Sequence, residues 1–232
     1  PGGMGIEDLT RQALTDEQEP PQMHLWEVLQ ALKKAKSDPK VKALFIEGGF
    51  MPSGYGCGYA TVQELVDGIL DFKKSSKPVI GYMRNPSQLD YLVFSICDQL
   101  SMDPSGSLLF KGLSSESLFF GEAFEKYGVG IQVVRTGDFK GAVEPFISTE
   151  FSDENRRQIN RLLQLRWKDY MATISNNRSV DAKILQQKFS KNYLLKPTDA
   201  LAEKLIDSVV PYDQIVDQLI ELGSFDDEYS YT

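Results

Sequence analysis

Histidine and cysteine are scarce in the sequence. It has one histidine, His24, and two cysteines, Cys57 and Cys97, in 232 residues. With no CxxC and no Cys/His cluster, a structural zinc site has no ligand set. One cysteine pair builds no disulfide framework, so both are read as small apolar packing residues. His24 stands at the entrance of an amphipathic segment, the place of a cap or a surface residue, and a Ser-His-Asp or Cys-His enzyme would have to recruit it from there. Basic blocks are also missing, and the net charge is −8. Phosphate backbones need clustered Lys and Arg, so the charge pattern argues against nucleic acid as a partner. No apolar run approaches the roughly 18 residues of a membrane-spanning helix. The start, Pro1-Gly2-Gly3-Met4-Gly5, is neither charged nor followed by an apolar core, and does not read as a signal peptide.

What is present is an ordinary globular composition, 41% apolar, and a length that fits one large α/β domain or two small ones. Residues 1–22 are polar and Gly/Pro/Glu-rich and read as an extended arm. From His24 to about Lys36 the apolar residues fall at helical spacing, and Ser37-Asp38-Pro39 stops the helix. Val41 to Ile46 reads as a buried strand, Thr61–Lys74 as a helix with Val62, Leu65, Val66, Ile69 and Leu70 inward, and Val79–Met83 as a second strand. An apolar helical run through Cys97 leads to a strand at Gln99–Met102 and another at Leu108–Phe110. Ser117–Tyr127 reads as a helix stopped by Gly128, and Ile131–Arg135 as a strand. Ser152-Asp153-Glu154 caps a long helix. Its stripe of Ile159, Leu162, Leu163, Arg166, Trp167, Tyr170, Met171 and Ile174 suits core or protomer contact. Helices near 181–189, 199–204 and 212–222, with a strand at 205–210, complete a single α/β domain over 23–222, followed by an acidic tail at 223–232.

Three stretches bear on chemistry. The first is Gly48-Gly49-Phe50-Met51-Pro52-Ser53-Gly54-Tyr55-Gly56-Cys57-Gly58, between a strand and a helix. Such a loop can present backbone N–H groups to an anion, but it carries neither a Gly-Lys-Ser/Thr nor a GxGxxG offset. The second is Ser87, at a strand-to-helix turn, which suits a nucleophile and an ordinary N-cap alike. The third is Arg135-Thr136-Gly137-Asp138-Phe139-Lys140-Gly141-Ala142-Val143-Glu144-Pro145-Phe146. Lys140 stands there among apolar neighbours. Desolvation would lower its pKa and make it a usable general base, whereas a lysine that snorkels to water would keep its charge.

The run from Arg135 to Phe146, followed by a helix near Ser152, resembles the lysine segment of the protease IV (signal peptide peptidase A) family. These are serine peptidases of the Clp-protease/crotonase superfamily. The resemblance extends more weakly from about Leu25 to Leu222. It implies a crotonase-like fold of repeated ββα units with a long helix after the lysine segment. It assigns Lys140 as general base of a Ser–Lys dyad, and Gly56 and Gly58 as oxyanion support. The family nucleophile lies in a Ser-Gly-Gly-Tyr-like motif, which Ser87 and Tyr91 match while Gln88, Leu89 and Asp90 replace the glycines. An acid at 90 puts negative charge where an oxyanion would form.

Long family members are tandem duplications whose amino-terminal half supplies the lysine, and this chain resembles that half. The resemblance therefore implies a lysine-bearing part that takes its serine from another domain or protomer. Ser87 paired with Lys140 between adjacent protomers, and a non-catalytic scaffold of the same fold, are the alternatives. A crotonase-type acyl-thioester enzyme is a further one, although the sequence has no basic cluster for the phosphates of CoA. The peptidase reading calls for no metal and no cofactor. Its substrates are peptides such as cleaved signal peptides, and its assemblies are closed rings. The family is membrane-associated, at the periplasmic face of the bacterial inner membrane or its organellar equivalent. The expectation for this chain is a soluble part that reaches a membrane only through a segment absent from it.

Overall fold

The computed structural model describes residues 24–49, 58–134 and 141–223. The amino-terminal arm, the acidic tail past 223, Gly56, Cys57 and Lys140 lie outside the described residues. Four parallel strands form the central sheet: β1 (Leu44–Glu47), β2 (Val79–Met83), β3 (Gln99–Met102) and β6 (Ser208–Val209), in the order β1-β2-β3-β6. Helix α1 (Leu25–Ser37) precedes β1, α2 (Tyr59–Lys73) joins β1 to β2, and α3 (Gln88–Phe94) joins β2 to β3. Parallel neighbours need such crossovers, and helices over the sheet bury the strands on both faces. Every residue of β2 is buried accordingly. The fold is α/β with a parallel sheet, in keeping with a Clp-protease-like fold.

A second, two-stranded antiparallel sheet pairs β4 (Leu108–Leu109) with β5 (Leu194–Leu195). Between them run α4 (Gly121–Lys126), a 3-10 turn (Gly141–Val143), α5 (Glu144–Ile147), the 26-residue α6 (Asp153–Arg178) and α7 (Ala182–Lys191). Helices α8 (Pro197–Ala202) and α9 (Tyr212–Gly223) flank β6. Tyr91, Phe94, Phe110, Leu100, Ile174 and Leu205 are fully buried at the junction of α3, the sheet and α6. Burial of one such side chain contributes about 1.5–3 kcal/mol. The Tyr91 hydroxyl stays satisfied by donating to the Leu205 carbonyl at 2.7 Å.

Several boundaries differ from the sequence reading. The first strand starts at Leu44, because Val41 N–H turns back to the Asp38 carbonyl after the helix. Leu70 is exposed on the outer side of α2. The helix expected from Ser117 begins at Gly121, since Phe120 N–H is bonded to the Pro145 carbonyl and residues 117–120 are not helical. Residues 131–134 form no strand, and Val134 is fully exposed. The apolar stripe of α6 divides in two: Tyr170, Met171 and Ile174 enter the core, whereas Leu162 is 54% exposed.

Candidate functional site

Ligands of open α/β sheets bind beyond the carboxyl ends of the strands. A cavity of about 420 Å³ opens there, past Glu47 of β1 and Met83 of β2, lined by Glu47, Gly48, Gly49, Tyr82, Arg84, Asn85, Pro86, Asp90 and Tyr212. The first two glycines of the loop thus line the cavity directly. Gly58 is the N-cap of α2, its carbonyl accepting from Thr61 N–H at 3.1 Å.

The cavity wall is tied together by Asp103, just past the end of β3. Its carboxylate accepts from Ser105 N–H at 2.8 Å and Ser105 Oγ at 2.5 Å. It also accepts from the Tyr82 hydroxyl and Arg84 Nε, each at 3.0 Å. The Ser105 bonds first, then those from Tyr82 and Arg84, hold the Asp103 carboxyl well below the usual carboxylate range. Burial and the Asp103 carboxylate push the Tyr82 hydroxyl up to about 12. Tyr212 packs beside Tyr82, their ring centroids 5.2 Å apart, and a hydrogen bond to Glu47 raises its pKa. Arg84 is paired with Asp103 at 3.0 Å.

Ser87 is the N-cap of α3. Its Oγ accepts from Asp90 N–H at 3.0 Å, and Asp90 Oδ2 accepts from Ser87 N–H at 2.8 Å. This is a reciprocal capping box. Each residue standing where the family motif has other types has a structural task. The Gln88 amide bonds both backbone groups of Gly112, at 3.3 and 3.1 Å. Leu89 packs on the core. Asp90, almost wholly buried, closes the cap and points its Oδ2 toward Gly49, 3.7 Å from where a Cβ there would lie. An oxyanion forming at Ser87 would meet this carboxylate. The exposed His24 is the N-cap of α1, where its N–H donates to Glu27 Oε2 at 3.1 Å.

The described part of the lysine segment, Gly141 to Ile147, forms the 3-10 turn and α5 against the start of α6. Glu144 is 2% exposed and accepts from Ser152 and Asn155. Sequence reading singled out neither Glu144 nor Glu47, Tyr82, Arg84 and Tyr212. An acid beside a proline in an apolar run was the one available signal for Glu144. The cavity residues come from three separate stretches, 47–49, 82–90 and 212, that only the fold brings together. Among the described residues no helix is long and apolar enough to cross a membrane.

The sequence model described as Peptidase family S49 matches residues 71–225, about two thirds of the chain. Protease 4 of Haemophilus influenzae is 32% identical over 167 residues, covering 72% of this chain and 27% of that protein. Protease 4 of Salmonella typhi is 26% identical over 161 residues, covering 69% of this chain and 26% of that protein. The chloroplastic serine protease SPPA of Arabidopsis thaliana is 29% identical over 143 residues, covering 62% of this chain and 20% of that protein. The chain therefore spans about a quarter of the length of the curated relatives it matches.

Proposed function

The chain belongs to peptidase family S49, and from that premise we propose that it is the lysine-bearing part of a serine peptidase. Lys140 is the general base, and the serine comes from another domain or protomer. The observation that carries this reading is the structural use of the Ser87 turn. Its hydroxyl accepts from Asp90 N–H and its amide donates to Asp90 Oδ2, so a buried carboxylate stands beside the turn, where an oxyanion would need donors. That favours a nucleophile from elsewhere over one supplied by this turn.

In this mechanism the neutral Lys140 amine takes the proton from a serine hydroxyl as its oxygen attacks a peptide carbonyl. Backbone amides hold the resulting oxyanion, with Gly56 and Gly58 as candidate donors in the loop after β1. Return of the proton to the departing amine leaves an acyl-enzyme. Water, deprotonated by the same amine, then releases the acid. Peptides such as cleaved signal peptides are the proposed substrates, and membrane association is proposed to come from sequence outside this chain. The serine-bearing partner is proposed to dock on the apolar surface around α4, α5 and the first half of α6, which flanks Gly141, the neighbour of Lys140.

The test is peptide hydrolysis by the full-length protein in its native assembly. Lys140→Ala is expected to abolish turnover with folding intact, and Ser87→Ala to retain it. Loss in both variants would move the nucleophile to Ser87. Full activity in Lys140→Ala would remove the lysine from the mechanism. The scaffold reading, which the capped Ser87 also favours, expects no labelling by serine-directed acylating reagents in any assembly.

A further inference from the structure

Glu144 is a buried carboxylate that the proposed chemistry does not use. Its Oε1 accepts from the Ser152 hydroxyl at 2.5 Å. Its Oε2 accepts from Ser152 N–H at 3.1 Å and from Asn155 Nδ2 at 2.8 Å. The Ser152 hydroxyl in turn accepts from Asn155 N–H at 3.2 Å. Acceptors at the first turn of α6 satisfy donors that the helix itself leaves open, and a negative charge there suits the helix dipole. Ser152 alone would serve as an ordinary cap. The additional carboxylate ties a separate segment to the same turn.

A second contact acts on that segment. Gly141 lies so close to the Asn155 side chain that a Cβ at 141 would overlap its amide. Capping a helix does not require this. The Asn155 amide is thus held between the Glu144 carboxylate and the Gly141 backbone. Residues 141–144 are fixed to the start of a 26-residue helix at two points. The helix is in turn anchored in the core by Tyr170, Met171 and Ile174. The residue bonded to the amino end of this clamped segment is Lys140.

We propose that Glu144, through Ser152 and Asn155, is a positioning residue for the general base, fixing Gly141, the residue to which Lys140 is bonded, relative to helix α6. The inference rests on the assignment of Lys140 as base. A reacting group displaced by about 1 Å can lose on the order of 100-fold in rate, so a segment so placed gains from being pinned.

The experiment measures kcat and KM for peptide hydrolysis by the full-length protein in its native assembly, well below the unfolding temperature. Glu144→Gln keeps the size but removes the charge facing the first turn of α6 and leaves one accepting oxygen where there were two. Its kcat is expected to fall about 10- to 100-fold with KM within about twofold, since the interaction lost acts on the chemical step. Asn155→Ala should fall similarly, and the double variant should be no slower than Glu144→Gln alone, because both break one clamp. Ser152→Ala should lose rate and Ser152→Thr, which keeps the hydroxyl, should restore it. Ser152→Ala also stands in should Glu144→Gln fail to fold. A folded Glu144→Gln protein with unchanged kcat overturns the proposal. So does a loss that matches only the reduced fraction of folded protein. Lys140→Ala run in parallel separates the two claims: if it is inactive while Glu144→Gln is fully active, only the positioning role falls. If Lys140→Ala is active, the base assignment itself falls.

Discussion

At residue 87 a single hydroxyl is asked to be either a nucleophile or a cap, and its neighbours decide. The reciprocal bonds between Ser87 and Asp90 make Ser87→Ala a stability variant first. Loss of an N-cap costs about 0.5–2 kcal/mol, so the urea midpoint should fall by a corresponding amount while peptide hydrolysis persists. Asp103 gives a prediction of different sign with pH. Its folded pKa lies below the unfolded value near 3.9, chiefly through Ser105 and further through Tyr82 and Arg84. Stability from this group is therefore fully present above about pH 4 and is lost as pH falls toward the folded value. Unfolding by urea at pH 7, 4 and 3 should show that loss in the parent protein. Asp103→Asn should start less stable at pH 7 and lose less on acidification. An equal slope in both proteins would detach Asp103 from the acid response.

At the scale of elements, packing across β2 and α3 is tight enough to test with one methyl group. A Cβ at Gly81 would lie 2.7 Å from Cys97 Sγ and 2.9 Å from Leu100 Cδ1, and all three residues are buried. Gly81→Ala should destabilise by about 1–3 kcal/mol through overpacking, read from chemical unfolding. No loss would mean that the Cys97 and Leu100 side chains shift freely to admit the methyl group. These are also the elements that sequence reading located best. Strands β2 and β3 were bounded correctly because continuous apolar runs between Pro78, Asn85 and Asp103 leave little freedom. Helix α6 was found from its cap, Ser152, and its period. The expected strand at 131–135 failed over its described residues for a physical reason: a β-rich run specifies a strand only where another strand offers hydrogen bonds. The capping role of Ser87 was legible as one of two choices. The Asp103–Tyr82–Arg84 wall was not, since its members are 19 and 21 residues from one another's partner and have no local pattern.

For the molecule as a whole, the feature that most needs a partner is the surface between β4 and the middle of α6. Leu118 and Tyr127 are each about three quarters exposed, and Phe146, Ile147, Leu162 and Leu165 are exposed as well. Folded chains seldom leave so many large apolar groups on one stretch without an interaction to cover them. By contrast, α3, the sheet and the second half of α6 share one core. Burying this surface against the proposed serine-bearing partner would bring that partner beside Gly141 and explain why the α6 stripe continues past the core. The substitutions Leu162→Glu and Leu165→Glu together test the point, because both side chains are exposed and neither supports the fold. The doubly substituted full-length protein should keep its circular dichroism and thermal midpoint. In sedimentation it should shift to a smaller species if the partner is another protomer, and peptide hydrolysis should fall with the shift. If the partner is a domain of the same chain, mass stays constant while hydrolysis still falls and protease nicking between the domains rises. Unchanged mass, nicking and hydrolysis would leave the surface without a role in assembling the site, and the serine would have to approach Lys140 from another direction.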